Sequence, residues 1–174
     1  MRRIVILTLM FISGLAYSQI AIGRDNISSK SVSLEFGEGN RGLILPWVTS
    51  ENAVENAVQG TLIFDTTDKK VKVKKEDGWK DLTVSTSGQV DTSLQSNLKE
   101  YSDAGVMIGS TVSNSNAKGI LVLSDKDKAM VLPKVANPHR NIVQPAAGMI
   151  VYDTVQKQLA VFNGKEWTFW EPSA

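Results

Sequence analysis

The chain has no cysteine in its 174 residues. That excludes a disulfide framework, a thiolate zinc site, a cysteine nucleophile and a lipid carried on an N-terminal cysteine. It has a single histidine, so imidazole clusters for a metal are excluded as well. No charge of one sign dominates: Lys plus Arg is 19 and Asp plus Glu is 18. The electrostatic footprint of a nucleic-acid binder is therefore missing, and no nucleic-acid partner is expected. Apolar residues make up 42% of the chain, too many for a disordered one.

What is present begins with an export signal. Residues 1–18 read MRRIVILTLMFISGLAYS. Arg2 and Arg3 give a positive start, Ile4 to Leu15 form an apolar run, and Ala16 and Ser18 put small residues before a cleavage point at Gln19. This is the pattern of a cleaved secretory signal peptide. As a membrane anchor the run is short of the roughly 20 residues a span needs. The expected location is exported: periplasmic, outer-surface or extracellular, with no transmembrane segment after cleavage. Losing Arg2 and Arg3 turns the slight basic excess into a slight acidic one.

The remainder repeats itself once. Ile22-Gly23 recurs as Ile108-Gly109, an offset of 86. Leu43-Ile44-Leu45-Pro46 recurs as Met130-Val131-Leu132-Pro133, an offset of 87. Gly60-Thr61-Leu62-Ile63-Phe64-Asp65-Thr66 recurs as Gly148-Met149-Ile150-Val151-Tyr152-Asp153-Thr154, an offset of 88, which also carries Val71, Val73 and Trp79 onto Leu159, Val161 and Trp167. Matches that stay in order with so little drift mark a duplication.

Each unit reads as β structure. Ile20 and Ile22 alternate, as do Val32, Leu34 and Phe36, which predicts half-buried strands. Leu43–Leu45 and Met130–Leu132 are apolar runs that predict strands covered on both faces, ended by Pro46 and Pro133, which lack an amide for the ladder. Asp65 and Asp153 follow the next strands as turn caps. Val71-Lys72-Val73-Lys74 alternates with the lysines outward, and Asn163-Gly164 signals a hairpin. Short helical pieces are expected at Ser50–Val58 and after Asn137-Pro138. Thr83–Gly88 is linker-like, and Val90, Leu94, Leu98 and Tyr101 then form a stripe on a helix of about three turns. The fold class is mainly β: two tandem β-rich repeats of short strands and hairpins, at 19–82 and 105–174, joined by a linker at 83–104 with a short amphipathic helix.

Chemistry is scarce. His139 sits in a polar turn, and no Gly-x-Ser-x-Gly elbow is present to pair with it. Asp65/Asp68 and Asp125/Asp127 offer carboxylates for calcium without the full loop pattern, so turn formation is the better reading. Asp65 and Asp153 could be offered as an acid pair, but their equivalence makes each a turn cap. No catalytic residue, cofactor or metal site is assigned, and the chain is read as a non-enzyme. The interaction candidates are Trp47, Trp170, Lys69, Lys70, Lys72 and Lys74. The lysines fit either an edge strand guarded against aggregation or a surface for an acidic glycan or lipid headgroup. Trp47 and Trp170 lack a tryptophan counterpart in the other unit. They fit an interface better than a sugar platform, whereas Trp79 and Trp167 are equivalent and read as hairpin core.

Arg41-Gly42-Leu43-Ile44-Leu45-Pro46, Pro145-Ala146-Ala147-Gly148-Met149-Ile150-Val151-Tyr152-Asp153-Thr154 and Val161-Phe162-Asn163-Gly164-Lys165-Glu166-Trp167 carry a family resemblance. The unit resembles a repeat of exported and cell-surface proteins of gliding gram-negative bacteria. The resemblance covers most of residues 19–81 and 106–168. The first unit departs at Lys75-Glu76-Asp77-Gly78, and both units lack the arginine after Leu-Pro. Such repeats are similar in layout to phage tail-fibre segments, which implies elongated, trimeric, structural roles and brings no catalytic residues.

The function expected from all this is a non-catalytic secreted or cell-surface module that works through protein contacts. Its partner would be itself, as a homo-oligomer, or another surface protein. A glycan-binding module is the alternative. Units of about 60 residues without a staple are marginal alone, so they should pack on each other or on copies.

Overall fold

The structure, a computed structural model, describes residues 19–99, 101, 104–109 and 119–171. The segment read as an export signal lies outside them. The fold is mainly β, with repeated strands arranged in a solenoid-like way. In the first repeat the strands are β1 (Ile20–Ile22), β2 (Val32–Phe36), β3 (Leu43–Ile44), β4 (Trp47–Val48), β5 (Leu62–Asp65), β6 (Lys70–Lys75) and β7 (Gly78–Asp81). In the second they are β8 (Val106–Ile108), β9 (Leu121–Leu123), β10 (Ala129–Val131), β11 (Lys134–Val135), β12 (Met149–Asp153), β13 (Gln158–Phe162) and β14 (Trp167–Trp170).

The duplication extends to single backbone angles. Asn56 and Gln144 have φ of 57° and 50°, Gly60 and Gly148 of 85° and 76°, and Lys69 and Lys157 of 60° and 56°. All three pairs stand at the same offset. Four of these six are not glycine, and left-handed backbone is costly for a side chain. Its recurrence shows that the turns, and not only the apolar pattern, were duplicated.

Each repeat builds a meander around its central hairpin. β4-β5-β6-β7 form one sheet and β11-β12-β13-β14 the corresponding one. Asp65 and Asp153 cap the hairpin turns as expected: Asp65 Oδ1 accepts from Thr67 N at 3.0 Å, and Asp153 Oδ1 accepts from Val155 N at 2.9 Å.

The repeats are not beads on a string. β2 of the first pairs in parallel with β10 of the second, Leu34 opposite Met130. β3 of the first pairs antiparallel with β12 of the second, Ile44 opposite Met149. Gly42 permits that approach, since a Cβ there would lie 2.4 Å from Met149 Cγ. One core cluster is drawn from both repeats: Leu45, Phe64 and Val71 from the first, Ala147, Ile150 and Val161 from the second. A second cluster, around Val135, Met149, Val151 and Phe162, belongs to the second repeat. Each such buried side chain contributes roughly 1.5–3 kcal/mol, so pooling them relieves the shortage that each unit has alone.

Several elements differ from expectation. The linker helix is one turn, Ser93–Ser96, and Leu98 and Tyr101 are each 74% exposed. A helix of one turn gains too few hydrogen bonds to recover the cost of nucleation. The linker is instead held by its earlier part: Gln89 N donates to Asn163 O at 3.2 Å, Asn163 Nδ2 to Ser85 O at 3.3 Å, and Ser87 Oγ to Glu166 Oε1 at 2.8 Å. The piece at Ser50–Val58 is helical only over Glu51–Ala53, because Asn56 turns left-handed. Ile20 and Ile22 face outward and Ala21 inward, and Ile44 is 49% exposed, so its strand is not covered on both faces.

Candidate interaction surface

Trp47 opens β4, directly after Pro46 has ended the previous strand. Its half-buried ring lies 6.4 Å from that of Phe64, and its Nε1 donates to Ala147 O in the second repeat at 2.8 Å. Trp170 closes β14. Its Nε1 donates to Leu82 O in the first repeat at 2.7 Å, and the Lys80 ammonium stands 4.8 Å from its ring centroid. Both tryptophans pack against the shared core cluster. The two tryptophans without a tryptophan counterpart thus each tie one repeat to the other. Trp167 packs on Phe162 at 5.1 Å, and Trp79 lies beneath the Lys74 ammonium at 5.9 Å.

The lysine run is placed differently from its edge-strand reading. β6 lies between β5 and β7, hydrogen-bonded on both sides, so it is interior. Lys69 serves the turn through its left-handed backbone. Lys70 is ion-paired with Asp81. Lys74 covers Trp79.

Lys72, expected outward, is 5% exposed. Its Nζ contacts Asp68 at 2.6 Å, Glu51 at 2.8 Å and Asp65 at 3.1 Å. Burial pulls the Lys72 ammonium toward the neutral form, but the hydrogen bonds it donates to Asp68, Glu51 and Asp65 outweigh it, and its pKa is raised. Burial likewise pushes Asp65 upward, and the Lys72 hydrogen bond with the amides of Asp68 and Thr67 carries it below the ordinary carboxylate range. The carboxylates weighed for calcium at Asp65 and Asp68 are therefore engaged by an internal cation. In the second repeat the place of Lys72 is taken by Ala160, which is fully buried, and Asp153 Oδ2 has no hydrogen-bond partner among the described residues. The quartet was hidden in the sequence by the clean apolar-lysine alternation. The signal available was the mismatch between Lys72 and Ala160 at one register position.

His139 is exposed, with its ring edge-on to Phe169 at 5.8 Å. Among the described residues no cluster of three or more His, Cys, Asp or Glu side chains is placed to hold a metal ion, and no helix is long and apolar enough to cross a membrane.

Residues 107–173 match the family described as a phage tail like trimerisation region. The match spans the second repeat from Met107 onward. It points to a structural, oligomerising role for this part of the chain rather than a catalytic one. No curated protein and no solved structure shows significant similarity to the chain.

Proposed function

We propose that the chain is an exported structural module that joins copies of itself into a homotrimer at or beyond the cell surface. The observation that carries this is the match of residues 107–173 to a trimerisation region. The export pattern of residues 1–18 supplies the compartment, and the missing cysteines agree with a chain whose stability comes from packing. The glycan alternative draws no support from the aromatic placement: both candidate indoles spend their N–H groups on carbonyls of the other repeat. Two measurements test the proposal. Fractionation of the producing cell with an antibody to the folded chain should place it outside the cytoplasm, and its mass in solution should be that of three chains. A cytoplasmic chain, or one that stays single at all concentrations, contradicts it.

A further inference from the structure

Among the described residues, the two pairings that join the repeats have no reciprocal copies. β2 pairs with β10, yet their equivalents β9 and β3 are unpaired with each other: among the described residues β9 is bonded to β8 alone. β3 pairs with the head of β12, yet their equivalents β10 and β5 do not meet, and the head of β5 lacks the strand that β12 has there. The relation between the repeats is therefore heterologous, and it leaves one unfilled half of each pairing at each end of the chain. The second repeat presents the edges of β9 and β10. The first presents the edges of β3 and β5.

The surface around the empty position on β5 repeats the pattern. Pro145, Ala146, Ala147 and Gly164 line a groove along which Trp47 and Val90 are laid. The equivalent residues Ala57, Val58, Gln59 and Glu76, together with Lys74 and Lys75, line a groove with no counterpart of Trp47 or Val90 in its lining. A Cβ on Gly148 would lie 2.8 Å from Phe64 Cβ and 3.4 Å from Trp47 Nε1, whereas a Cβ on Gly60 meets nothing within 4 Å. Two apolar residues at these edges are exposed, Ile44 at 49% and Leu121 at 38%.

We infer that a second copy of this chain fills these places, its second repeat seated on the first repeat of the next copy with the strand pairings that already join the repeats internally. The occupant follows from continuity with the internal interface and from the match to a trimerisation region. The internal registers transfer directly. Ile44 opposite Met149 becomes Val131 opposite Thr61 of the next copy, antiparallel. Leu34 opposite Met130 becomes Leu121 opposite Leu43, parallel. The position of Trp47 is taken by Lys134 and that of Gly164 by Glu76, so a charge pair replaces the indole in its groove. Heterologous contacts close into rings or run on as filaments, and closure after three copies is the trimer. The inference rests on the trimeric reading and adds which strands form it.

The absence of native cysteine makes the test direct. The variant carrying both Thr61→Cys and Val131→Cys is oxidised and run without reductant, beside each single variant and beside Ile44→Cys with Thr61→Cys. Opposed strand residues lie within disulfide reach. The expected result is covalent joining of chains up to the trimer in the Thr61/Val131 variant alone. Lys134→Glu should also cause loss of assembly that Glu76→Lys in the same chain restores. The unsubstituted protein is weighed in solution in parallel. A trimer by mass whose Thr61/Val131 variant forms no interchain bond, or whose Ile44/Thr61 variant forms one instead, overturns the strand assignment and leaves the trimer standing. A single chain by mass overturns both.

Discussion

The indole of Trp47 in the first repeat donates its hydrogen to the carbonyl of Ala147 in the second, at 2.8 Å. Trp170 returns the arrangement by donating to Leu82 at 2.7 Å. Each bond saturates a polar atom at the margin of a core to which both repeats contribute. Trp47→Phe keeps a ring in the groove and removes the donor, so it should cost about 1–2 kcal/mol, part of it from the carbonyl left unpaired. Trp47→Ala removes the ring as well and should cost about 3–5 kcal/mol. Urea unfolding of both variants checks the difference. A costless Trp47→Phe would mean that the hydrogen bond carries nothing, and equal costs would mean that the ring carries nothing.

Because Leu45, Phe64 and Val71 share one cluster with Ala147, Ile150 and Val161, the repeats should unfold together. Tryptophan emission and far-ultraviolet circular dichroism should give one coincident transition. Two separated transitions, one per repeat, would contradict a common core.

Lys72→Ala installs the residue that the second repeat uses at this place, without removing the three carboxylates around it. The loss at pH 7 should be about 2–3 kcal/mol, below the roughly 3–5 kcal/mol of a fully buried pair because Glu51 and Asp68 reach solvent. The pH dependence has a definite sign. Asp65 has a lowered pKa in the fold, so its contribution is present above its unfolded value of about 4 and is lost as pH falls through the lower folded one. Lys72 has a raised pKa, so its contribution is present below its unfolded value of about 10.4 and is lost as pH rises through the higher folded one. Stability of the natural chain should therefore hold between about pH 4 and pH 10 and fall on either side. The cost of Lys72→Ala should shrink in acid, where the carboxylates are neutral. A cost that does not vary with pH would contradict the quartet.

Gly42→Ala should be destabilising by about 1–3 kcal/mol, since the new methyl would overlap Met149 and Val151 and force the β3–β12 pair apart. Hydrogen exchange would show this as faster exchange of the Leu45 amide, which donates to Gly148 O at 3.0 Å. Unchanged protection there would mean that the strand approach does not depend on Gly42.

Much of the fold was legible because duplication doubles every signal. The strands, the capping aspartates and the hairpin turns recur at a nearly constant offset, and backbone angles such as those of Lys69 and Lys157 recur with them. What could not be read was pairing between repeats. The Leu-Ile of β3 predicts a strand but not that its partner is β12, more than a hundred residues away in sequence. Lys72 differs for a related reason: alternation decides a lysine's face only when that face is wet, and the face of Lys72 is closed by Glu51, Asp65 and Asp68. The linker stripe holds only in part, because apolar spacing needs a surface to pack on: Val90 packs on the shared core, whereas Leu98 and Tyr101 stay exposed. Trp47 and Trp170 were singled out by their lack of counterparts, and that asymmetry marks where one repeat must grip the other.

The central claim is that the chain exists to join copies of itself. Sedimentation equilibrium of the purified chain across a wide concentration range tests it most directly. A single species with the mass of three chains is expected. A mass of one chain throughout would contradict it.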